Sequence, residues 1–439
     1  MEKCLKNGKV YINGKFEETN LFLEKGKIVK ILKDELKADE IIDCSGKFIL
    51  PGFIDAHVHL RVPGFENKED WKTGSRAALQ GGVTTLFDMP NTKPATTNVE
   101  TLEKKREVAC DDSLVNFGFF LGATSGNQEE IVKAENIAGV KIYMGHTTGD
   151  LILENDDKIK EVFKLCRKIS KPAVVHAEDN TLLAKNFSKA KEDDWNSVEK
   201  HHLIRNNEAA KIATEKVIKF CRENETKTHI CHVSTAKETE IIDHAKKEGL
   251  LLTCEVAPHH LFLGVDSLKK LGNYGKVNPP LRENYDRGVL WNSVNNEIID
   301  IIATDHAPHL KEDKECDYFH ALPGIPELDT FGSLMLNAAL EGDLSLNRVV
   351  AMCSEKPAEI FGIKNKGFIK EGFDADLIVI DLEKETEIKN KNLFTKCKWS
   401  PYNGMKLKGV IEKTLVNGNV IFENGKIVNK INGKEVVFQ

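Results

Sequence analysis

Residues 53–60 read FIDAHVHL, a short apolar run that carries two histidines, His57 and His59, at its end. Seven more apolar runs of similar length follow along the chain. They are TTLFDM from Thr84, VNFGFFLG from Val115, GVKIYMG from Gly139, PAVVHAE from Pro172, THICHVS from Thr228, LLTCEVA from Leu251 and IIDIIATDHAP from Ile298. Near-continuous apolar runs of this length are typical of parallel strands that are buried on both faces.

The segments between these runs have helical character. Asn207–Arg222, for example, shows the 3.6-residue periodicity of an amphipathic helix. Eight strand–helix units in about 310 residues predict an α/β fold, a (β/α)8 TIM barrel. A doubly wound open sheet is the structural alternative. The barrel is favoured because polar residues recur at strand ends around the whole set, whereas an open sheet collects them at one switch point.

Both ends of the chain are rich in strand and turn signals. Residues 1–52 contain VYINGKFEETNLFLEKGKIVKIL, and residues 363–439 contain GFDADLIVIDLEKETEI and TLVNGNVIFENGKIV. The N-G pairs are typical of hairpin turns. Each end is short for an independent domain, so we expect one small composite β-sandwich built from both termini, with residues 53–362 forming the barrel.

The composition narrows the class of protein. With 439 residues, 41% hydrophobic and 30% charged, the chain has the balance of an ordinary globular protein. The net charge of -6 argues against a general nucleic-acid binder. No apolar run approaches the ~18 residues of a membrane span, and the N-terminus has no signal-segment pattern. Because the ten cysteines include no C-x-x-C pair, we expect a cytoplasmic protein with free thiols.

Metal-ligating residue types recur where the predicted strands end. His57 and His59 are two residues apart, so both imidazoles face the same side of the first strand. An H-x-H pair alone is also typical of two hydrogen-bonded structural histidines. His176, His232 and Asp305, however, lie at the ends of the fifth, sixth and eighth runs. The carboxyl ends of barrel strands share one face, so the five residues together predict a site for zinc or a similar divalent ion.

Lys141 lies inside the apolar run VKIYM, where an unpaired ammonium would be costly to bury. One interpretation is an ordinary ion pair inside the barrel. The other is a lysine that carries CO₂ as a carbamate, which offers two oxygens to bridge two metal ions. With that bridge, four histidines and two oxygen donors suffice for a binuclear site.

The remaining histidines are interpreted as structural. His201 and His202 end the polar segment 191–202, KEDDWNSVEKHH, which we interpret as a solvated surface. Cys231 is interpreted as a small residue of the core.

The sequence resembles the amidohydrolase superfamily and, within it, the dihydroorotases of the longer, class I type. The motifs that carry the resemblance span nearly the whole chain: PGFIDAHVHLRVPG, TTLFDMPNTKP, GVKIYMG, VVHAE, HICHVS, KVNPPLR, ATDHAPH and GFDADLIVID. The resemblance implies two zinc ions per chain, bridged by N6-carboxylated Lys141. One ion would be bound by His57, His59 and Asp305, and the other by His176 and His232.

Some class I relatives use a loop aspartate as the bridge instead of a lysine. Asp150 is the corresponding alternative in this chain, and Lys141 is favoured because it lies in the strand. The same resemblance implies that Thr147 and Thr148 lie on a loop that closes over the substrate.

A second set of residues bears on the choice of substrate. Arg61 lies two residues past His59 and faces the same side if the strand continues. Its planar guanidinium suits a bidentate grip on a carboxylate, although pairing with a structural acid is the alternative. By resemblance, Arg61 and Asn91 hold a substrate carboxylate. The pocket would be completed by the side chains of Asn278 and His309 and the backbone of Pro323 and Gly324.

The activity that the resemblance implies is that of a dihydroorotase in de novo pyrimidine (UMP) biosynthesis, the reversible cyclisation of N-carbamoyl-L-aspartate to (S)-dihydroorotate plus water. A metal-bridging hydroxide would be the nucleophile in ring opening, and Asp305 the general acid/base. Another cyclic-amide hydrolase, such as an allantoinase, and a non-catalytic scaffold homologue are the alternatives. The expected partner is a small-molecule substrate, not nucleic acid or a membrane. A homo-oligomer and a complex with aspartate carbamoyltransferase both remain open.

Overall fold

All eight apolar runs of the sequence form strands. The computed structural model describes residues 1–34, 36–147, 149 and 151–439. The strands of these residues are β1 (Lys3–Ile12), β2 (Lys15–Glu24), β3 (Lys27–Leu32), β4 (Glu40–Asp43), β5 (Phe48–Pro51), β6 (Phe53–Val58), β7 (Val83–Asp88), β8 (Asn116–Gly122), β9 (Gly139–Tyr143), β10 (Ala173–His176), β11 (Thr228–Ile230), β12 (Leu252–Val256), β13 (Ile301–Ile302), β14 (Leu377–Glu387), β15 (Lys406–Val416), β16 (Asn419–Glu423) and β17 (Lys426–Ile427).

Strands β6 to β13 form a parallel barrel. Their spatial order follows their order in the chain, and each strand pairs with the next in parallel register. A parallel bridge between Val58 and His306 connects the first strand to the segment that follows the last. The predicted barrel is therefore confirmed. A doubly wound sheet is excluded because the strand order never reverses.

Helices between the strands cover the barrel. The α-helices of the described residues are α1 (Trp71–Gln80), α2 (Val99–Asp112), α3 (Gln128–Lys133), α4 (Asp156–Lys168), α5 (Asn180–Glu192), α6 (His201–Ile204), α7 (Asn207–Asn224), α8 (Ala236–Lys247), α9 (Pro258–Phe262), α10 (Leu268–Leu271), α11 (Asn284–Asn295), α12 (Lys311–Lys314), α13 (Phe331–Glu341), α14 (Leu346–Val350) and α15 (Lys356–Ile360). None of these helices combines the length and the apolar composition that crossing a bilayer requires.

Polar caps set where several helices begin. Asn206 caps α7 by accepting a hydrogen bond from the backbone of Ala209, and this helix covers the predicted segment. Thr235 and Glu238 form a reciprocal capping box at the start of α8. Such caps satisfy N–H groups that the first helical turn leaves without partners.

The two ends of the chain together form one composite β-domain, as predicted, and its strands belong to a single mixed sheet. Its order is β17-β16-β15-β14-β5-β1-β2-β3, with β4 paired to β1. The ends join where β5 pairs with β14 in antiparallel register, with Leu50 opposite Ile378. Leu5, Leu21 and Leu377 belong to a separate apolar core inside this sheet domain.

The last residues of the chain leave this sheet and lie against the barrel. The backbone N–H of Val436 donates to the carbonyl of Phe117 at 2.8 Å. The ring of Phe438 packs edge-on against Phe87, with 5.1 Å between the ring centroids. Gly433 is required for this approach, since an added Cβ would meet the carbonyl oxygen of Val115 at 1.8 Å. The domain boundaries near residues 52 and 362 remain predictions.

Candidate metal centre

The predicted metal ligands meet at the carboxyl end of the barrel. His57 lies in β6 and His59 directly follows it, while His176 is the last residue of β10. His232 and Asp305 lie in the loops just after β11 and β13. All five side chains are buried. Parallel strands place their carboxyl ends on one face of a barrel, so residues far apart in sequence converge there.

One group consists of His57, His59 and Asp305. The Nε2 atom of His59 lies 3.0 Å from Asp305 Oδ1, and the Nε2 atom of His57 lies 3.4 Å from the same oxygen. One potential ligand atom from each residue lies within 4.8 Å of the others. Two imidazole nitrogens and a carboxylate at this separation are a suitable donor set for a divalent ion.

The other predicted pair, His176 and His232, faces the same space. Their Nδ1 and Nε2 atoms, respectively, are 3.0 Å apart. The Nε2 atom of His176 is 2.9 Å from Glu178 Oε2. A proton on Nε2 bonded to Glu178 leaves the lone pair of Nδ1 directed towards His232. With its lone pair directed into the shared space, the Nδ1 atom of His176 could serve as a ligand to a metal ion.

Outer hydrogen bonds also orient the first two histidines. His57 Nδ1 contacts the carboxylate of Glu255. His59 Nδ1 is 2.6 Å from Asn91 Oδ1. In both residues the Nε2 atom is thereby left to face Asp305. Partners of this kind fix the tautomer and the ring orientation of a metal-ligating histidine.

Burial favours the neutral, metal-binding form of His59, His176 and His232. Desolvation lowers the pKa of His59 to about 4 and lowers those of His176 and His232 as well. Burial raises the pKa of Asp305, but the electrostatic contact with His57 and the hydrogen bond from His59 outweigh that effect, so this pKa lies below its ordinary range. Neutral imidazoles and an ionised carboxylate fit the requirements of a zinc-type ion.

The backbone at the site is locally strained. His232 has φ 33°, Asp305 has φ 48° and Arg61 has φ 66°. Left-handed conformations cost non-glycine residues about 1–3 kcal/mol each, and they concentrate at functional sites. Arg61 therefore reaches the pocket by a different route from the one predicted. Strand β6 ends at Val58, so strand alternation does not determine the direction of this side chain.

Lys141 lies in the middle of β9 and is fully buried. Its Nζ atom is 2.9 Å from Cys231 Sγ and lies 5.1 Å from the centroid of the Tyr143 ring. Among the described residues no carboxylate lies within ion-pair distance of this ammonium. The alternative interpretation of Lys141, an ordinary ion pair, is therefore not supported by these residues. Cys231 is buried as expected, but it contacts a candidate ligand instead of serving only as core filling. Asp150 and Thr148 lie outside the described residues.

A small pocket opens beside the candidate ligands. Its wall includes His57, His59, His176, His232 and Asp305. Of the predicted substrate-binding residues, those that line it are Arg61, Asn91, Asn278, Pro323 and Gly324, and Thr147 lines it too. The structure thus brings these predicted residues together around one space.

His309 lies behind Arg61 and does not line the pocket. Its Nε2 atom is 3.2 Å from Arg61 Nη2 and 3.0 Å from the carbonyl oxygen of Pro323. Burial lowers the pKa of His309 well below its ordinary value, as do the charges of Arg61 and Lys314. The Nε2 atom of a neutral His309 can either accept a hydrogen bond from Arg61 or donate one to the carbonyl of Pro323.

The 191–202 segment is only in part the solvated surface that we predicted. His201 is buried, and its Nε2 atom is 2.9 Å from Asn278 Oδ1. Its Nδ1 atom is 2.7 Å from the hydroxyl of Tyr318. His201 therefore supports a residue of the pocket wall, because the segment folds back over the barrel mouth.

Two acidic residues of the site were missed by sequence reasoning. Glu255 contacts His57 Nδ1 and lies 3.1 Å from His229 Nε2. Glu178 contacts His176 and forms a buried ion pair with Arg205. The available signal was a glutamate at the end of an apolar run, in VVHAE and in TCEV. Buried carboxylates are rare unless they are paired, so such positions indicate a partner.

Comparisons with known proteins identify the family. A profile of the amidohydrolase family matches residues 48–421. A dihydroorotase from Pyrococcus abyssi is 38% identical over 433 residues, with 98% of this chain and 97% of the relative covered. A dihydroorotase from Methanosphaera stadtmanae is 36% identical over 431 residues, with 96% and 97% covered.

Solved structures give the same result for the fold. An L-hydantoinase (dihydropyrimidinase) from Arthrobacter aurescens superposes with a TM-score of 0.97 at 29% identity, with 99% of each chain covered. A dihydropyrimidinase from Brevibacillus agri superposes with a TM-score of 0.93 at 26% identity, with 99% of this chain and 98% of the other covered. This chain belongs to the amidohydrolase family and is one of its cyclic amide hydrolases.

Proposed function

We propose that this enzyme is a dihydroorotase, which interconverts N-carbamoyl-L-aspartate and (S)-dihydroorotate in de novo pyrimidine synthesis. The relatives named dihydroorotase support this, since they match nearly the whole chain. The proposal depends on one observation in the pocket wall, the environment of Arg61. The substrate and product of this reaction both carry a carboxylate that takes no part in the ring chemistry, and the enzyme must hold that group.

Arg61 is a buried cation without an acidic partner among the described residues. It is 3% exposed, and its hydrogen bonds go to the carbonyl oxygen of Pro308 at 3.2 Å and to His309. A buried guanidinium without a counter-ion is costly, and a bound carboxylate relieves that cost. Asn91 lines the same pocket, and its Oδ1 atom is engaged by His59. We call Arg61 and Asn91 the carboxylate clamp.

We propose further that the site holds two zinc ions. His57, His59 and Asp305 would bind one ion, and His176 and His232 the other. Carboxylated Lys141 would bridge them. When bound, the ions would lower the pKa of a shared water and polarise the ring carbonyl that is attacked.

Asp305 is the group best placed to move the proton in this reaction. Its pKa lies below the ordinary range, so it is ionised near neutral pH and able to accept a proton from the attacking water. In ring opening it would then pass that proton to the ring nitrogen that leaves. Ring closure runs in reverse and needs protonated Asp305, so closure is favoured at lower pH. The carboxylate clamp meanwhile holds the substrate in register.

A hydantoinase-like activity is the second candidate, because the solved structures described above are those of an L-hydantoinase and a dihydropyrimidinase. An allantoinase belongs to the same class. The substrates of such enzymes lack the acid group that Arg61 would bind. A non-catalytic scaffold is the least supported alternative, since the candidate ligands His57, His59, His176, His232 and Asp305 all line one pocket.

Turnover of dihydroorotate, dihydrouracil, hydantoin and allantoin, compared in the wild type and in Arg61→Met, tests the proposal. We expect dihydroorotate to be the preferred substrate. Loss of a buried charged contact should cost about 2–5 kcal/mol of transition-state stabilisation. The kcat/KM for dihydroorotate should then fall roughly 30-fold to several thousandfold. Arg348→Met is the matched control, since Arg348 is also largely buried and donates to backbone carbonyls away from the pocket. Faster turnover of an uncharged ring, or indifference to Arg61→Met, would contradict the proposal.

A further inference from the structure

A fully buried ion pair lies behind the pocket wall. Asp88 is the last residue of β7 and Lys105 lies on α2, and neither side chain is accessible to solvent. The Nζ atom of Lys105 is 2.6 Å from Asp88 Oδ2. It also lies 5.8 Å from the centroid of the Phe119 ring. A buried pair of this kind contributes little net stability compared with apolar residues of the same volume, so its presence calls for another explanation.

Asp88, the acidic partner, holds the backbone beside Arg61 of the carboxylate clamp. Asp88 Oδ1 accepts a hydrogen bond from the backbone N–H of Leu60 at 2.7 Å. Leu60 directly precedes Arg61, whose φ of 66° is unfavourable for a residue with a side chain. A tether at the preceding residue keeps the chain in that conformation. The direction of the guanidinium therefore depends on Asp88.

Lys105, the basic partner, holds the backbone near Asn91, the other residue of the carboxylate clamp. Lys105 Nζ donates to the carbonyl oxygen of Met89 at 2.6 Å, and the N–H of Met89 donates to the carbonyl of Val58 at 2.9 Å. Met89 precedes Asn91 by two residues. The two halves of the clamp come from different strand–loop units, and one ion pair connects them.

We propose that Asp88 and Lys105 are positioning residues that set the geometry of the carboxylate clamp and thereby the selectivity for an anionic ring. The inference rests on the dihydroorotase function proposed above. Neither residue lines the pocket, so their effect on the substrate is transmitted through Leu60 and Met89. Lys105 balances the charge of Asp88 and donates a hydrogen bond to the carbonyl of Met89.

The test is steady-state kinetics of Lys105→Met, with zinc content measured in parallel. We expect KM for dihydroorotate to rise roughly tenfold or more, because the carboxylate clamp no longer holds the substrate carboxylate in place. The kcat at saturating substrate and the metal content should stay near wild type. Turnover of dihydrouracil should change much less, so the preference for the anionic ring falls. Lys366→Met is the matched control, since Lys366 forms a buried ion pair with Asp376 in the composite sheet domain. It should lower stability without changing KM.

The double variant Asp88→Asn/Lys105→Met covers the case in which the single variant does not fold. It removes both charges but keeps an oxygen that can accept a hydrogen bond from Leu60. Its KM should lie between those of the wild type and Lys105→Met. If Lys105→Met does not fold, the KM of the double variant should simply exceed that of the wild type. The proposal is overturned if the variants reduce kcat alone, or affect both rings by the same factor. A wild type that prefers dihydrouracil would refute the dihydroorotase function itself, and with it the clamp. The substrate preference of the wild type thus separates the two failures.

Discussion

Glu178 provides a sharp test of how the metal ligands are oriented. This carboxylate is fully buried beside His176, with 2.9 Å between Glu178 Oε2 and His176 Nε2. Its other partner is Arg205, whose Nε atom lies 3.1 Å from both carboxylate oxygens. Arg205 also donates to the carbonyl of His146 at 2.9 Å. Glu178→Gln keeps the shape of the side chain but removes the charge that pairs with Arg205 and that strengthens the hydrogen bond from His176.

The magnitude follows from these contacts. Removing one member of a buried ion pair leaves Arg205 uncompensated and should lower the free energy of unfolding by about 3–5 kcal/mol. Loss of the hydrogen-bonded carboxylate behind a ligating histidine should weaken the affinity for one zinc ion by roughly 10–100-fold. The double variant Glu178→Gln/Arg205→Met removes the orphaned cation as well. It should recover most of the stability but not the affinity for zinc.

Two measurements separate the effects. Denaturant unfolding of the metal-free protein gives the stability, and competition with a chelator gives the zinc affinity. Glu238→Gln is the matched control, because Glu238 is a buried carboxylate that caps α8 without touching a candidate ligand. It should lower stability and leave zinc affinity unchanged. An unchanged zinc affinity in Glu178→Gln would refute the orienting role, and an unchanged stability would refute the reasoning about the ion pair.

Three further predictions concern the chemistry of the centre. Asp305→Ala should retain part of the metal and lose nearly all turnover; more than roughly a tenth of the wild-type rate would exclude a proton shuttle, since such groups contribute about 10²–10⁴-fold. Native mass measurement, or a crystal structure, should detect a carbamate on Lys141, and a bare lysine with full zinc occupancy would contradict it. Because burial lowers the pKa of His59 to about 4, its imidazole stays neutral until the pH falls towards that value. Zinc, followed by elemental analysis after dialysis, should therefore be retained well below pH 6.5, where an exposed histidine would already be protonated, and release near pH 6.5 would refute this.

The barrel could be predicted because its signals are local. Each buried parallel strand is a continuous apolar run, and both its length and its spacing from the next run are visible in the sequence. The candidate ligands follow from the same pattern, because residues at the carboxyl ends of the runs must share one face. His176 and His232, for instance, are 56 residues apart and have nitrogens 3.0 Å from each other.

The direction of Arg61 could not be predicted in this way. The strand ends three residues before it, and its backbone is left-handed. The contacts of Lys105 are likewise invisible to periodicity, since a lysine on a covering helix is expected to be exposed. Only the folded chain shows that its ammonium reaches the end of β7.

The sequence by itself therefore determined the architecture, the face on which the candidate site lies and the chemical types of its candidate ligands. The tertiary structure alone decided which nitrogen of each histidine faces the centre, since that depends on partners such as Glu255, which is 198 residues from His57. It also decided that Arg61 has no acidic neighbour among the described residues. The physical reason is that strand and helix patterns arise from each segment's own burial, whereas tautomers, ion pairs and strained backbones depend on groups that only folding brings together.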